Sequence, residues 1–469
     1  MNSDSKGLMT GRKTVVGALA AVLAGCLMSA SASAGVSPEE AARLGKDLTV
    51  MGAEEAGNAE GTIPAFNGGG VNPLPAGFVP GSGTYIDPYA GEKPRLVIDN
   101  TNWKEHEAKL TEGTKAMFEK WGDEGFRLDV YPTHRSFAAP QWFYDNTVQN
   151  ATSASLVSDG LKIEGAKPGT PFPIPSDPME VMWNHMIRWM GTHAEADYDS
   201  YYVDGNGKPV LSTNGTAWFE FPMYNPQKDY GDLGDRWALL RIDYNGPPRR
   251  AGEILLVHEP GSDYTEGKGR NAWQYLVGQR RVRRAPAVEF DTPNPGIAGT
   301  STYDDSYVFN GSPERYDWTL IGKQEIYAPY NTYDFVFNQK VEDMLGKHFF
   351  KPEFVRWELH RVWVVEAELK EGFRHMYKKR RYYIDEDSWT ALAGEVYDGQ
   401  DKLWRVHYAY FAPLYDIPAG NSFAYGTYDL LSNVYNINTK PIPGGFRIPE
   451  EQKDTKFFSP QGIARTGIR

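Results

Sequence analysis

The sequence predicts a mainly β protein with flanking helices, an α+β fold built on one large antiparallel sheet. Three observations predict it. Aromatic residues make up 13% of the 469 residues, beside 48 Gly and 32 Pro; aromatic side chains suit a pleated, half-buried surface, and Gly and Pro set the turns between strands. Asn-Gly and Asp-Gly pairs recur between apolar runs, the strongest short hairpin signal. The run RWELHRVWVVEAEL, Arg356 to Leu369, alternates along its length, the period that sends successive side chains to opposite faces of a sheet. A chain this long can bury a core without help from cross-links.

Taken in order, residues 1–34 read as a signal peptide. Arg12 and Lys13 precede an apolar run from Thr14 to Met28, and small residues follow with an Ala32-Ser33-Ala34 cleavage site. That run is short for a spanning helix, and no later run is long and apolar enough to be one. The one cysteine, Cys26, follows Leu23-Ala24-Gly25 as in a bacterial lipobox. Cleavage before Cys26 would leave an acylated lipoprotein; cleavage after Ala34 would discard it, and the Ala-Ser-Ala site beside a helix start favours the second. Neither outcome permits a disulfide within the chain.

Residues 35–100 are expected to form a helix and then a Gly/Pro-rich extended segment. Ser37-Pro38-Glu39-Glu40 is a good helix start, with stop at Gly45. Beyond it Ile63, Pro64 and Phe66 offer an apolar tether amid the glycines. Residues 101–436 are expected to form a single large β-rich domain, and residues 437–469 an irregular tail. Within the domain, Lys104 to Trp121 has helical spacing through Leu110, Thr114, Met117, Phe118 and Trp121, and Met179 to Thr192 carries a wide Met/Trp face. That face suits either core packing or a soft surface for greasy ligands.

Strands follow. Ser200 to Val203, Trp237 to Tyr244, Ala251 to His258 and Trp273 to Val277 are bounded by turn residues. A Gly/Pro/Asp-rich excursion leads from Arg280, Arg281, Arg283 and Arg284 to another strand-like run. A meander then runs through Arg356 to Leu369, Arg374 to Ile384, Trp389 to Tyr397 and Leu403 to Phe411.

A formal net charge of −12 argues against nucleic acid as partner, so the arginine knot acts locally. Strand geometry puts Arg281 and Arg283 on one face, either as solvated charges or as contacts for an anion or lipid head group. The sequence carries no Gly-x-Ser-x-Gly elbow, no His-Glu-x-x-His and no paired cysteines. The histidines lack metal-ligand spacing, and neither cofactor nor metal is expected. Glu366, Glu368 and Asp385 sit among aromatics, where a carboxylate pair of a glycosidase or a solvated strand face would read alike.

The blocks SPEEAARLGKDLTVMGAEEAGNAEGTIPAFNGG, GQRRVRRAP, FNGSPERYDW and RWELHRVWVVEAELKEGFRHMYKKRRYYIDEDSW resemble the proteobacterial domain-of-unknown-function family 1329. YLVGQRRVRR and YYIDEDSWTALAGEVYDGQDKLWRV are also similar to periplasmic outer-membrane lipoprotein-sorting proteins of the LolA and LolB type, over the central and later parts of the chain. The resemblance implies a periplasmic protein with a curved, incomplete antiparallel barrel whose concave face holds acyl chains. It also implies work beside a resistance-nodulation-division (RND) envelope transporter and an outer-membrane partner.

On that reading the protein is a periplasmic carrier or chaperone of a lipophilic molecule. Trp357, Leu359, Trp363 and Val365 are the expected cavity wall, with Arg281 and Arg283 at the rim. An envelope hydrolase of glycans or esters using acids such as Glu366 or Asp385, and a non-catalytic scaffold of an export complex, are the alternatives.

Overall fold

The computed structural model describes residues 35–265, 268–285, 291–294, 297 and 299–467; residues 1–34, read above as a signal peptide, and with them Cys26, lie outside the described residues. Among the described residues six α-helices flank the strands: α1 (Pro38–Ala41), α2 (Glu112–Trp121), α3 (Gln141–Ser153), α4 (Pro178–Met186), α5 (Val341–Met344) and α6 (Pro460–Gly467). The strands are β1 (Leu96–Ile98), β2 (Leu128–Val130), β3 (Ser155–Val157), β4 (Lys162–Glu164), β5 (His193–Val203), β6 (Pro209–Glu220), β7 (Arg236–Gly246), β8 (Ile254–Pro260), β9 (Asn271–Leu276), β10 (Arg281–Arg284), β11 (Tyr316–Pro329), β12 (Arg356–Leu369), β13 (Lys379–Asp385), β14 (Ala391–Tyr397), β15 (Leu403–Ala409), β16 (Tyr425–Asp429) and β17 (Tyr435–Arg447).

The fold is mainly β with flanking helices. All strands but the β3–β4 hairpin join one sheet, running β1, β2, β12 to β17 and then β5 to β10, with β11 also on β12. β2 pairs with β12 in parallel, so the sheet is mixed rather than wholly antiparallel. It is not closed, since β1 and β10 end the order.

Local chemistry explains where the helices stop. Ser37 caps α1 as expected, accepting from the Glu40 N–H, but the α-helix ends at Ala41. Residues 103–109 wind into a tighter helix and Leu110 is extended, so the regular helix begins only at Glu112, where the Thr111 hydroxyl accepts from the Thr114 N–H. Asp177 and Glu180 form a capping box at α4, and Ile187, at φ −116° and ψ 32°, ends it well before Thr192.

Residues 437–469 correct the expectation of an irregular tail. β17 lies inside the sheet between β16 and β5, and α6 with the turn Thr455–Phe458 covers the outer face of β7 to β9. There Phe458 and Ile463 bury Leu239, Ile254, Leu256 and Tyr275. The inner face of the same strands alternates with the outer: Leu240 opposes Val257 and Ile242 opposes Leu255. Both faces are thus apolar and covered, which accounts for the fully buried β8.

The Gly-rich segment after α1 is largely irregular, with Ile63 buried and Phe66 half-buried under the Arg135 guanidinium. Gly52 is required there: its φ is +87°, and a Cβ would fall 1.6 Å from the Pro173 carbonyl oxygen.

Candidate functional site

The inner face of β5 to β8 does not pack solidly. Ala238, Leu240 and Ile242 of β7 and Leu255 and Val257 of β8 form an apolar floor, and Phe219, Tyr425 and Thr439 contribute from β6, β16 and β17. Asn294 and the segment from Tyr303 to Asn310 lie across it, placing Tyr303 and Tyr307 against the strands. Between them is a cavity of about 70 Å³. That is room for roughly five water-sized groups, since one needs about 10–15 Å³. Its mostly apolar lining suits an apolar body.

One end is polar. Arg270 donates from Nε to Glu259 at 2.8 Å, and Asn310 Nδ2 donates to the other Glu259 oxygen at 3.0 Å. The covering segment is strained where it meets the cavity: Tyr307 and Val308 hold φ of +55° and +74°, left-handed backbone that is costly for any residue with a Cβ and most for a β-branched one. Buried anchors hold it there. Asp304 accepts from Arg380 at 2.6 Å and from His375 at 3.1 Å, and Asp305 accepts from the Tyr377 hydroxyl at 2.8 Å. Burial would raise the Asp304 carboxyl, but Arg380 and His375 outweigh it and hold it well below the usual carboxylate range.

The wall expected from the sequence lies elsewhere. Trp357, Leu359 and Val365 are buried in the core of β12, Trp357 edge-on to Tyr408 with ring centres 5.3 Å apart. Trp363 is half-buried under Lys323 and borders a surface groove with Glu54 and Ile174. None of the four lines the cavity. Arg281 and Arg283 are exposed on β10, beyond β9 from the cavity floor. Of the Met/Trp face, Met182, Trp183 and Met186 are core, while Met190 reaches the cavity.

The acids weighed for hydrolysis do not line the cavity either. Glu366 pairs with Arg381 at 2.7 Å, and Glu368 is exposed. Asp385 is fully buried, accepting from the Ser388 hydroxyl at 2.6 Å; burial, with Asp387 adding to it, pushes its carboxyl up to about 7. His360, Asp385 and Asp387 bring ligand atoms within 4.8 Å of one another. Arg135, however, already grips both Asp387 oxygens at 2.9 and 2.7 Å. A guanidinium there supplies the positive charge that a metal ion would bring.

The chain is 41% identical over 457 residues to an uncharacterized protein of Pseudomonas aeruginosa, an alignment covering 96% of this chain and 98% of the other. Among solved structures it is similar to a DUF1329 family protein from Desulfovibrio piger (14% identity, 58% of this chain and 91% of that one covered, TM-score 0.37). It is also similar to a LolA superfamily protein from Nitrosomonas europaea (10% identity, 61% and 98% covered, TM-score 0.34). Residues 97–464 match the model of the family described as "Protein of unknown function (DUF1329)", and the chain belongs to that family.

Proposed function

We propose that the protein is a periplasmic carrier of a lipophilic molecule, handing it between an RND-type envelope transporter and an outer-membrane partner. The observation that carries this reading is the apolar cavity between β5 to β8 and the residues Asn294 and 303–310, with Glu259, Arg270 and Asn310 gathered in its wall. Apolar pockets with a few converging polar groups are the usual form of small-molecule sites. Each methylene moved from water into such a slot contributes about 0.8 kcal/mol. The resemblance of the sequence blocks to lipoprotein-sorting proteins of the LolA and LolB type suggests this reading, the transporter and outer-membrane partner included.

The test is native mass spectrometry of protein purified from periplasm without detergent, followed by solvent extraction. A discrete added mass that extracts as a lipid or hydrophobic metabolite is expected. An unliganded mass, together with no uptake of a fluorescent fatty acid, would overturn the carrier reading.

A further inference from the structure

Among the described residues eight arginines are buried: 135, 188, 241, 250, 356, 361, 380 and 405. Seven of them pair with a carboxylate. Arg188 does not. It follows α4, is 4% exposed, and donates only to the His185 carbonyl and the Ser422 hydroxyl, each at 3.0 Å; its Nε has no partner.

The charge rests instead on aromatic faces. The guanidinium carbon lies 5.6 Å from the Trp237 ring centre and 5.3 Å from that of Tyr307. Both rings line the cavity. The Trp237 Nε1 is likewise buried without a hydrogen-bond acceptor. A buried cation lacking its counter-charge costs several kcal/mol, and burial lowers the Arg188 pKa to about 10. Two donors therefore stand unanswered in or behind one stretch of the cavity wall, and one net positive charge calls for one negative charge.

We propose that the cargo is an acidic lipophile bearing a carboxylate, with Arg188 as its counter-ion. This rests on the carrier reading above. The apolar body fills the slot, and the carboxylate enters at the Trp237 and Tyr307 rings to accept from the Arg188 and Trp237 N–H groups. A single unpaired guanidinium suits a monoanion better than a dianionic phosphate monoester.

Titration calorimetry of the full mature chain with lauric acid, methyl laurate and lauryl phosphate separates the possibilities. The wild type is expected to bind laurate at least about tenfold more tightly than either of the others, with the preference lost in Arg188→Gln and partly kept in Arg188→Lys. Equal binding of acid and ester by the wild type would overturn the proposal and leave the carrier reading standing. Tighter binding of lauryl phosphate would replace the carboxylate by a phosphate head group. No binding of any of the three would overturn both readings. The comparison within the wild type decides even where a variant fails to fold.

Discussion

Arg380 donates to Asp304 at 2.6 Å across 76 positions of the chain, and neither side chain is more than 3% exposed. The bond ties the segment covering the cavity to β13, on the far half of the sheet from the cavity floor. Removing one partner leaves the other buried and uncompensated. Asp304→Ala and Arg380→Met are each expected to cost about 3–5 kcal/mol, with the double variant losing less than the sum. Urea unfolding of the three proteins checks this, and simple additivity would count against a direct pair.

Ala238 is the small residue of the cavity floor. Ala238→Leu is expected to fill the slot and abolish uptake of a fluorescent fatty acid, while overpacking costs about 1–3 kcal/mol. Fluorescence titration beside a melting curve separates loss of binding from loss of fold.

Phe458 is fully buried on the opposite face of the same strands. Phe458→Ala should cost about 3–5 kcal/mol through the cavity it leaves. Below its melting temperature the variant should still take up ligand, because the inner face is untouched.

Lys440 on β17 is buried, its ammonium donating to the Gln339 carbonyl, and burial pushes its pKa down from 10.5 to about 7. Between those values the unfolded chain binds a proton that the folded one does not, so this group's contribution to stability grows as pH rises through the window and is lost as pH falls toward 7. Lys440→Met removes the effect. The wild type should gain on the variant in urea midpoint between pH 7 and pH 9, two settings chosen inside the window; parallel curves would refute the assignment.

Much of the sheet was legible because its strands state their period. β12 begins and ends where the alternation of Arg356 to Leu369 does, and Leu403 opens β15 as expected. β17 hid because Pro441, Pro443, Gly444 and Gly445 interrupt it, and the strand absorbs them by shifts of register against β5. α3 hid for another reason: QWFYDNTVQNATS is rich in weak helix formers, and no side chain caps its start. The cavity wall was misplaced because both faces of β12 are buried, so alternation there distinguishes two faces without saying which is hollow. The hollow is gathered from strands far apart in the chain. Arg188 carried a readable residue type but no sequence pattern, since its missing counter-charge exists only in three dimensions.

β17 sits between β16 and β5, so the last strand among the described residues is the keystone between two blocks made earlier. Until residues near 435 are available, β16 and β5 each present a raw edge, and unpaired edges invite pairing with another chain. Asn438 and Thr439 of that same strand also line the cavity. The cavity is therefore finished in the same step as the sheet: a chain that stops short of β17 has neither a sealed edge nor a complete cavity wall.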